Sequence, residues 1–345
     1  MVVGVDAGSG AGPTPAPAAH LSFARQDMVH VLRRRFTAYL SLMTAVCKLH
    51  AAASAPAHLE ATSGRLTVSV DPETGRYSVS VNSNRARTPT DETWLVSAPT
   101  MLHSAAGWLN LSTQNASSTE GSDENLGNFT RLAVLVSAGG DGGAQVEISF
   151  RVYHRPLDAG AVIVAEQRFL TGATGVKLAG PAAHDLAASA FPNWQIGAGL
   201  LGHRLQFIAG CDGAPSRSPV GTVFPHGYAS DFLGRGLPLA LLDSALESSA
   251  LVMSPVNGFV SSTLALHNMS DGSQTLAAGI VGSVDNIPAD FAVSTVMTMS
   301  RVGGGFTESM MHWGDTMLAL GGGKRRTKHN AAPMVSHLGY STTAL

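Results

Sequence analysis

From Arg65 onward the chain alternates apolar and polar residues. "RLTVSV" (Arg65–Val70) and "RYSVSV" (Arg76–Val81) put Leu66, Val68, Val70, Tyr77, Val79 and Val81 on one side. Thr67, Ser69, Ser78 and Ser80 fall on the other, which is the period of two of half-buried strands. The intervening "DPETG" carries Pro72 and Gly75, so the spacing predicts a hairpin with a five-residue loop and its apolar set turned inward. Further strand-like runs follow: "TWLVSA", "TRLAVLVSA", "AQVEISFRVYH", "AVIVAEQRFL", "LQFIAG", "GTVFPHG" and "FAVSTVMTMSRV". Turn-formers separate them at short intervals, the pattern of a large antiparallel sandwich or barrel over roughly residues 60–302.

"LPLALLDSALESSALVMSP" (Leu237–Pro255) has helical propensity in its Leu and Ala run. Gly236, Pro238, Pro255 and Gly258 bound it, however, and "SALESSA" is polar enough to turn. Two strands, Leu237–Leu242 and Leu251–Ser254, joined across Asp243–Ala250, are expected, with a helix as the alternative. After Gly303–Gly305 the period changes. Thr307 is expected to cap a helix with Glu308 in its first turn. Met310, Trp313, Met317, Leu318 and Leu320 supply an apolar side until Gly321–Gly323 end it. The polar "KRRTKHN" then leads to a strand-like "APMVSHLGY", whose run from Met334 to Tyr340 is followed by only a few residues.

Composition narrows the function classes. Only 13% of the 345 residues are charged and the net charge is −2, so no basic field exists for a nucleic acid. Cys47 and Cys211 are the only cysteines, which excludes a Cys-rich metal framework or dense disulfide scaffold. "VVGVDAGSGAG" resembles the glycine-rich phosphate loop of sugar kinases and actin-like ATPases. Pro13, Pro15 and Pro17 follow it, though, where a supporting strand is needed. "GGGKRRT" places Arg325 where a Walker loop needs a hydroxyl.

Residues 28–55 have the layout of a secretory signal. Arg33–Arg35 are basic, Phe36–Val46 apolar, and Ala53-Ser54-Ala55 small. The apolar stretch is too short to span a bilayer; an N-terminal helix packed on the domain is the alternative. Asn110, Asn115, Asn128 and Asn268 each open an N-x-S/T sequon. Three of them fall in the Ser-rich "WLNLSTQNASSTEGSDENLGNFT", expected to be surface loop. A secretory, extracellular or lysosome-like location is expected, or a cytoplasmic one if 28–55 is retained.

Glycoside hydrolysis needs two facing carboxyl groups. Glu166, Asp212, Asp231, Asp243, Glu247, Asp285, Glu308 and Asp315 are available, but none has a second carboxylate at a spacing that sets face and distance. Glu166 and Arg168 share one strand face, where cross-strand ion pairs are the ordinary explanation. His312 and Asp315 lie three apart on the predicted helix without a neighbouring nucleophile. The loop "FPHGYASDF" supplies Phe224, His226, Tyr228 and Asp231 as candidates for contact with a carbohydrate or a neighbouring domain, and Trp313 and Asp315 are added to that group. No catalytic, cofactor or metal residue is assigned, and no cofactor is expected.

The segments taken together resemble one family. "TWLVSAPTML" (Thr93–Leu102), "EISFRVYHRPLDAGAVIVAEQRFLTGATG" (Glu147–Gly175), "SSALVMSPVNGFVSSTLAL" (Ser248–Leu266), "GSVDNIPADFAVSTVM" (Gly282–Met297), "WGDTMLALGGGKR" and "SHLGYST" occur in consecutive order. They are similar to the N-terminal region of uncharacterised glycoside hydrolase-like proteins related to alpha-galactosidase and raffinose synthase enzymes. The resemblance implies a galactose mutarotase-like supersandwich of the kind that precedes a (β/α)8 catalytic barrel. It implies an extension over residues 1–58, a sandwich over 59–305, and a connector helix with the first barrel strand over 306–345. The barrel and its carboxylates would be missing, which makes the barrel an intramolecular partner in full-length relatives and leaves this chain without turnover. Three functions are therefore weighed: a noncatalytic domain of a glycoside hydrolase-like protein, a free-standing carbohydrate-binding module, and a sandwich enzyme with its own pocket. Oligomeric state and sugar are left open.

Overall fold

The structure is a computed structural model that describes residues 58–83, 90–138, 143–180, 183, 186–201, 205–209, 220–221, 238–243, 250–269 and 271–323. The signal-like segment 28–55, both cysteines, Phe224, His226, Tyr228, Asp231 and the run Met334–Tyr340 lie outside them. The described part is mainly β, with antiparallel pairing throughout its ladders and one helix.

A four-stranded sheet holds, in order, β1 (Leu59–Ser63), β2 (Leu66–Val70), β3 (Tyr77–Ser83) and β4 (Thr90–Val96). The predicted hairpin is β2–β3, paired Leu66↔Val81, Val68↔Val79 and Val70↔Tyr77. All six predicted inward residues are buried, while Thr67, Ser69, Ser78 and Ser80 are half-buried on the other face. Asp71 organises the turn: its carboxylate accepts the Glu73 and Thr74 N–H groups and the Thr74 hydroxyl. Between β1 and β2 the chain reverses through Gly64 and Arg65. Gly64 has φ 53° and a Cβ there would sit 2.9 Å from the Ala159 carbonyl, so only glycine fits without strain. Where β3 meets β4 the register shifts at Val79/Ser80. Trp94 is the extra residue of this bulge, and it and Leu95 are both fully buried.

The nine-stranded sheet contains β7 (Ser112–Asp123), β8 (Gly127–Ser137), β9 (Gln145–Tyr153), β10 (Ala161–Phe169), β14 (Leu205–Ala209), β15 (Val220–Gly221), β16 (Leu239–Asp243), β17 (Ala250–Pro255) and β21 (Phe291–Met299), in the order β15-β14-β16-β17-β21-β10-β9-β8-β7. Leu237–Pro255 thus contributes two strands, β16 and β17. Smaller ladders join β5 (Met101–Ser104), β6 (Gly107–Asn110) and β12 (Ser189–Ala190); β13 (Asn193–Gln195), β18 (Ser262–Asn268) and β19 (Gln274–Ile280); and β11 (Ala173–Thr174) with β20 (Asn286–Ile287).

One apolar cluster unites these sheets. Leu66, Val68 and Val79 from the four-stranded sheet pack with Leu132, Val134, Ile148, Phe150 and Ile163 from the nine-stranded one. At its centre Tyr77 meets Phe150, Phe191 and Trp194 at ring-centroid distances of 5.1, 5.4 and 5.1 Å, tilted or edge-on, the geometry aromatic quadrupoles prefer.

The Ser-rich stretch expected as loop is instead strand. It forms the end of β6, all of β7 and the start of β8, with β7 paired to β8 along nearly its whole length. It shows no apolar alternation because β7 is the last strand of its sheet and is exposed or half-buried along its length.

The helix, α1 (Gly305–Leu320), begins two residues before the expected cap. Gly304 is the N-cap, and no side chain caps it. Thr307 lies inside the first turn; Glu308 is in that turn and pairs with Arg301 at 2.8 Å. The helix lies on the outer face of the nine-stranded sheet, where Trp313, Met317 and Leu320 pack on Tyr153, Val162, Val164 and Val296. Its most buried side chains are polar, Ser309 and Thr316. Their hydroxyls donate to the carbonyls four residues back, Gly305 at 2.9 Å and His312 at 2.8 Å, so burial leaves no unpaired donor.

Candidate functional site

A cleft of about 420 Å³ opens where the β5–β6 hairpin, the β8–β9 end and the β11–β20 ribbon converge. Its walls combine Leu102, Leu109, Val176 and Ile287 with the hydroxyl-bearing Ser104, Thr171 and Thr174 and the ring of His103. The hairpin is closed by Ser104, whose hydroxyl donates to the Gly107 carbonyl at 3.0 Å and accepts the Ala106 N–H at 3.2 Å. Thr171 anchors the neighbouring wall by accepting the Gln145 N–H at 3.0 Å.

In β5–β6 Leu102 stands opposite Leu109, and His103 opposite Trp108. His103 Nδ1 lies 3.1 Å from the Val176 carbonyl. A carbonyl can only accept, so this nitrogen carries the proton, and in the neutral ring Nε2 keeps a lone pair. Trp108 is 40% exposed. Two rings meet it edge to face: His103, with centroids 5.4 Å apart, and the β18 residue His267, at 5.3 Å. His267 is buried and its Nε2 accepts the Ala187 N–H at 3.3 Å. Burial lowers its pKa from 6.5 to about 4, so near neutral pH it is an uncharged ring. The arrangement holds an indole at the surface against His103, a residue of the cleft wall, while Trp108 itself is not part of that mixed apolar and hydroxyl lining. Neutral, polyhydroxylated molecules with apolar C–H faces suit such a lining.

The sequence reading did not find this site. Trp108 sits in a polar stretch without period, and its two partners come from different sheets. Of the residues it did single out, Trp313 turns toward the nine-stranded sheet, where its indole N–H donates to the Ser254 hydroxyl at 2.8 Å. Asp315 is exposed on α1. His312 is directed at the Ala161 carbonyl, 3.1 Å from Nε2, and burial is the main force lowering its pKa. Asn110, Asn115, Asn128 and Asn268 are all exposed.

Of the described candidate carboxylates, Glu308 and Asp315 share α1, while Glu166, Asp243 and Asp285 stand on other segments. Glu166 meets Arg151 at 3.4 Å and Arg168 meets Asp290 at 2.8 Å; Arg131 and Glu147 form a third pair on the same outer face. The first and third are cross-strand ion pairs and Arg168 reaches the turn before β21; on a solvated surface each contributes little. Asp285 is bridged by the Asn286 amide at 3.2 Å, Asp243 is buried on β16, and Glu308 holds Arg301. Asp212 and Glu247 lie outside the described residues. Among the described residues no three His, Cys, Asp or Glu side chains gather as a metal site.

No family model matches the chain, and no curated protein matches it. Among solved structures it is similar to GH36 alpha-galactosidase AgaA from Geobacillus stearothermophilus. A variant of that enzyme in complex with raffinose matches at 9% identity with a TM-score of 0.41, over 73% of this chain and 41% of that one. A second AgaA structure matches at 10% identity and TM-score 0.40, over 71% and 41% of the two chains. The galactosidase domain of the alpha-galactosidase-sucrose kinase AgaSK matches at 10% and 0.38, over 72% and 42%. The chain therefore spans about two fifths of the length of these proteins.

Proposed function

We propose that the chain is a noncatalytic, carbohydrate-contacting β-sandwich region of a glycoside hydrolase-like protein related to alpha-galactosidase and raffinose synthase enzymes. In this reading the four-stranded and nine-stranded sheets are the layers of the sandwich and α1 is the connector on its back. Support comes from the ordered run of family-like segments between Thr93 and Thr342 and from the shared apolar core. The observation that carries the binding role is Trp108, exposed yet held between His103, which lines the cleft, and His267. A rigid indole offers a face for sugar C–H groups at little entropic cost, and the nearby hydroxyls can exchange hydrogen bonds with those of a sugar. The same observation serves a free-standing carbohydrate-binding module, the second reading.

Titration of the purified chain with alpha-galactosides and other neutral oligosaccharides, followed by indole fluorescence and calorimetry, tests the proposal. Saturable binding that Trp108→Ala removes is expected. Absence of binding to any neutral sugar, or equal binding by the variant, overturns the site. Hydrolysis by the wild-type chain overturns the noncatalytic half.

A further inference from the structure

The sequons gain meaning from where the fold puts them. Among the described residues strand β7 is an edge, 12 residues long, beyond which no further strand pairs. Long edges expose backbone N–H and C=O groups that can recruit another chain, and natural proteins guard them with charge, proline or a bulge. β7 has such devices only toward its two ends. At the start the register shifts between Thr113 and Asn115, and the Gln114 side chain folds back onto the Ser137 hydroxyl at 3.1 Å. Toward the far end Glu120 engages His154 at 3.3 Å and the Thr130 hydroxyl at 2.9 Å. Between them "NASST" (Asn115–Thr119) has no charge and no proline.

Asn115 opens that stretch. It is exposed and stands opposite Leu135, on the sheet face that carries Arg131, Glu147 and Arg151. Asn128 is also exposed and stands opposite Ser122. Side-chain alternation along β8 places it on the other face, near the far end of β7. The two acceptors therefore flank one edge from both faces. We infer that Asn115 and Asn128 are N-glycosylated and that their glycans guard the β7 edge against strand addition by a second copy of this chain. The co-reactant is a polyprenyl-pyrophosphate-linked oligosaccharide. The asparagine amide nitrogen loses a proton and bonds to the anomeric carbon of the first sugar. The bond from that carbon to the pyrophosphate oxygen breaks, and the lipid pyrophosphate leaves with the electron pair. A glycan hydrated on both flanks of β7 excludes a tenth strand sterically and demands no stabilising contact with the protein.

The test uses the full chain, expressed from its own N-terminus in a eukaryotic secretory host. Peptide mapping by mass spectrometry reads occupancy at each asparagine. Half of the folded glycoprotein is then trimmed with an endoglycosidase, so both samples share one folded polypeptide, and self-association is followed by light scattering. Occupancy at Asn115 and Asn128 is expected, with a several-fold larger associated fraction after trimming. Ser117→Ala, which destroys the first sequon and keeps Asn115, should reproduce part of that rise without lowering Tm. Unmodified Asn115 and Asn128 overturn the inference, and so does a trimmed protein as monodisperse as the untrimmed one.

Discussion

The Tyr77 hydroxyl is bound twice by the backbone of Asn193: it accepts the Asn193 N–H at 2.7 Å and lies 3.3 Å from the Asn193 carbonyl. The phenol is buried, and burial raises its pKa above the ordinary tyrosine value. It thus serves as a permanent neutral donor and acceptor joining β3 to the start of β13. Asn193 continues the link by donating its side-chain amide to the Pro99 carbonyl at 2.8 Å.

Tyr77→Phe keeps the ring contacts with Phe150, Phe191 and Trp194 and removes only the hydroxyl. The Asn193 N–H is then buried without a partner, which costs about 1–3 kcal/mol. Urea unfolding should show the midpoint falling at unchanged m-value. An unaltered midpoint rules out a structural role for this bond.

His267 makes stability depend on pH. Its folded-state pKa, about 4, lies below the ordinary 6.5, so between those values the unfolded chain binds more protons than the folded one. Stability is then fully present above pH 6.5 and declines as pH falls toward 4, by about 3 kcal/mol in total. His267→Gln should flatten this part of the pH profile measured by thermal unfolding. A wild-type profile that is level through the window contradicts the buried, neutral ring.

Two glycines should respond oppositely to alanine. At Gly279 in β19 a Cβ would stand 1.9 Å from the Ser189 carbonyl oxygen, a backbone atom that cannot step aside; Gly279→Ala should cost about 3 kcal/mol through overpacking. At Gly314 in α1 nothing lies within 4 Å. Gly314→Ala should add roughly 0.5–1 kcal/mol by removing the entropic penalty of glycine inside a helix. Equal effects in calorimetry refute the packing argument.

Trp313→Phe tests how α1 is fastened. It keeps an aromatic side chain against Val162, Val164 and Val296 but loses the donor to Ser254, for an expected cost of about 1 kcal/mol. Hydrogen exchange should report faster opening of α1 with β9 and β10 unaffected. Uniform acceleration across the sheet counts against a local fastening.

The sequence by itself determined the elements whose physics is local. The β2–β3 hairpin is legible because strict alternation sends Leu66, Val68, Val70, Tyr77, Val79 and Val81 to one face whatever surrounds them. β16 and β17 are legible because proline and glycine bound Leu237–Pro255 more strongly than leucine propensity fills it. Helix α1 was visible from Trp313, Met317 and Leu320, but its start was not, since Gly304 caps it without a side chain. Ser309 and Thr316 are not among the apolar residues that marked the helix, and only the packing of α1 on the sheet buries them, their hydroxyls satisfied by carbonyls one turn back. β7 read as loop because an edge strand buries little on either face and needs no apolar period. Its pairing with β8 exists only once the sheet forms. The candidate site is the extreme case: His103, Trp108 and His267 lie in unremarkable local sequence; the first two face each other across the β5–β6 hairpin, and only packing between two separate sheets brings His267 to the same indole.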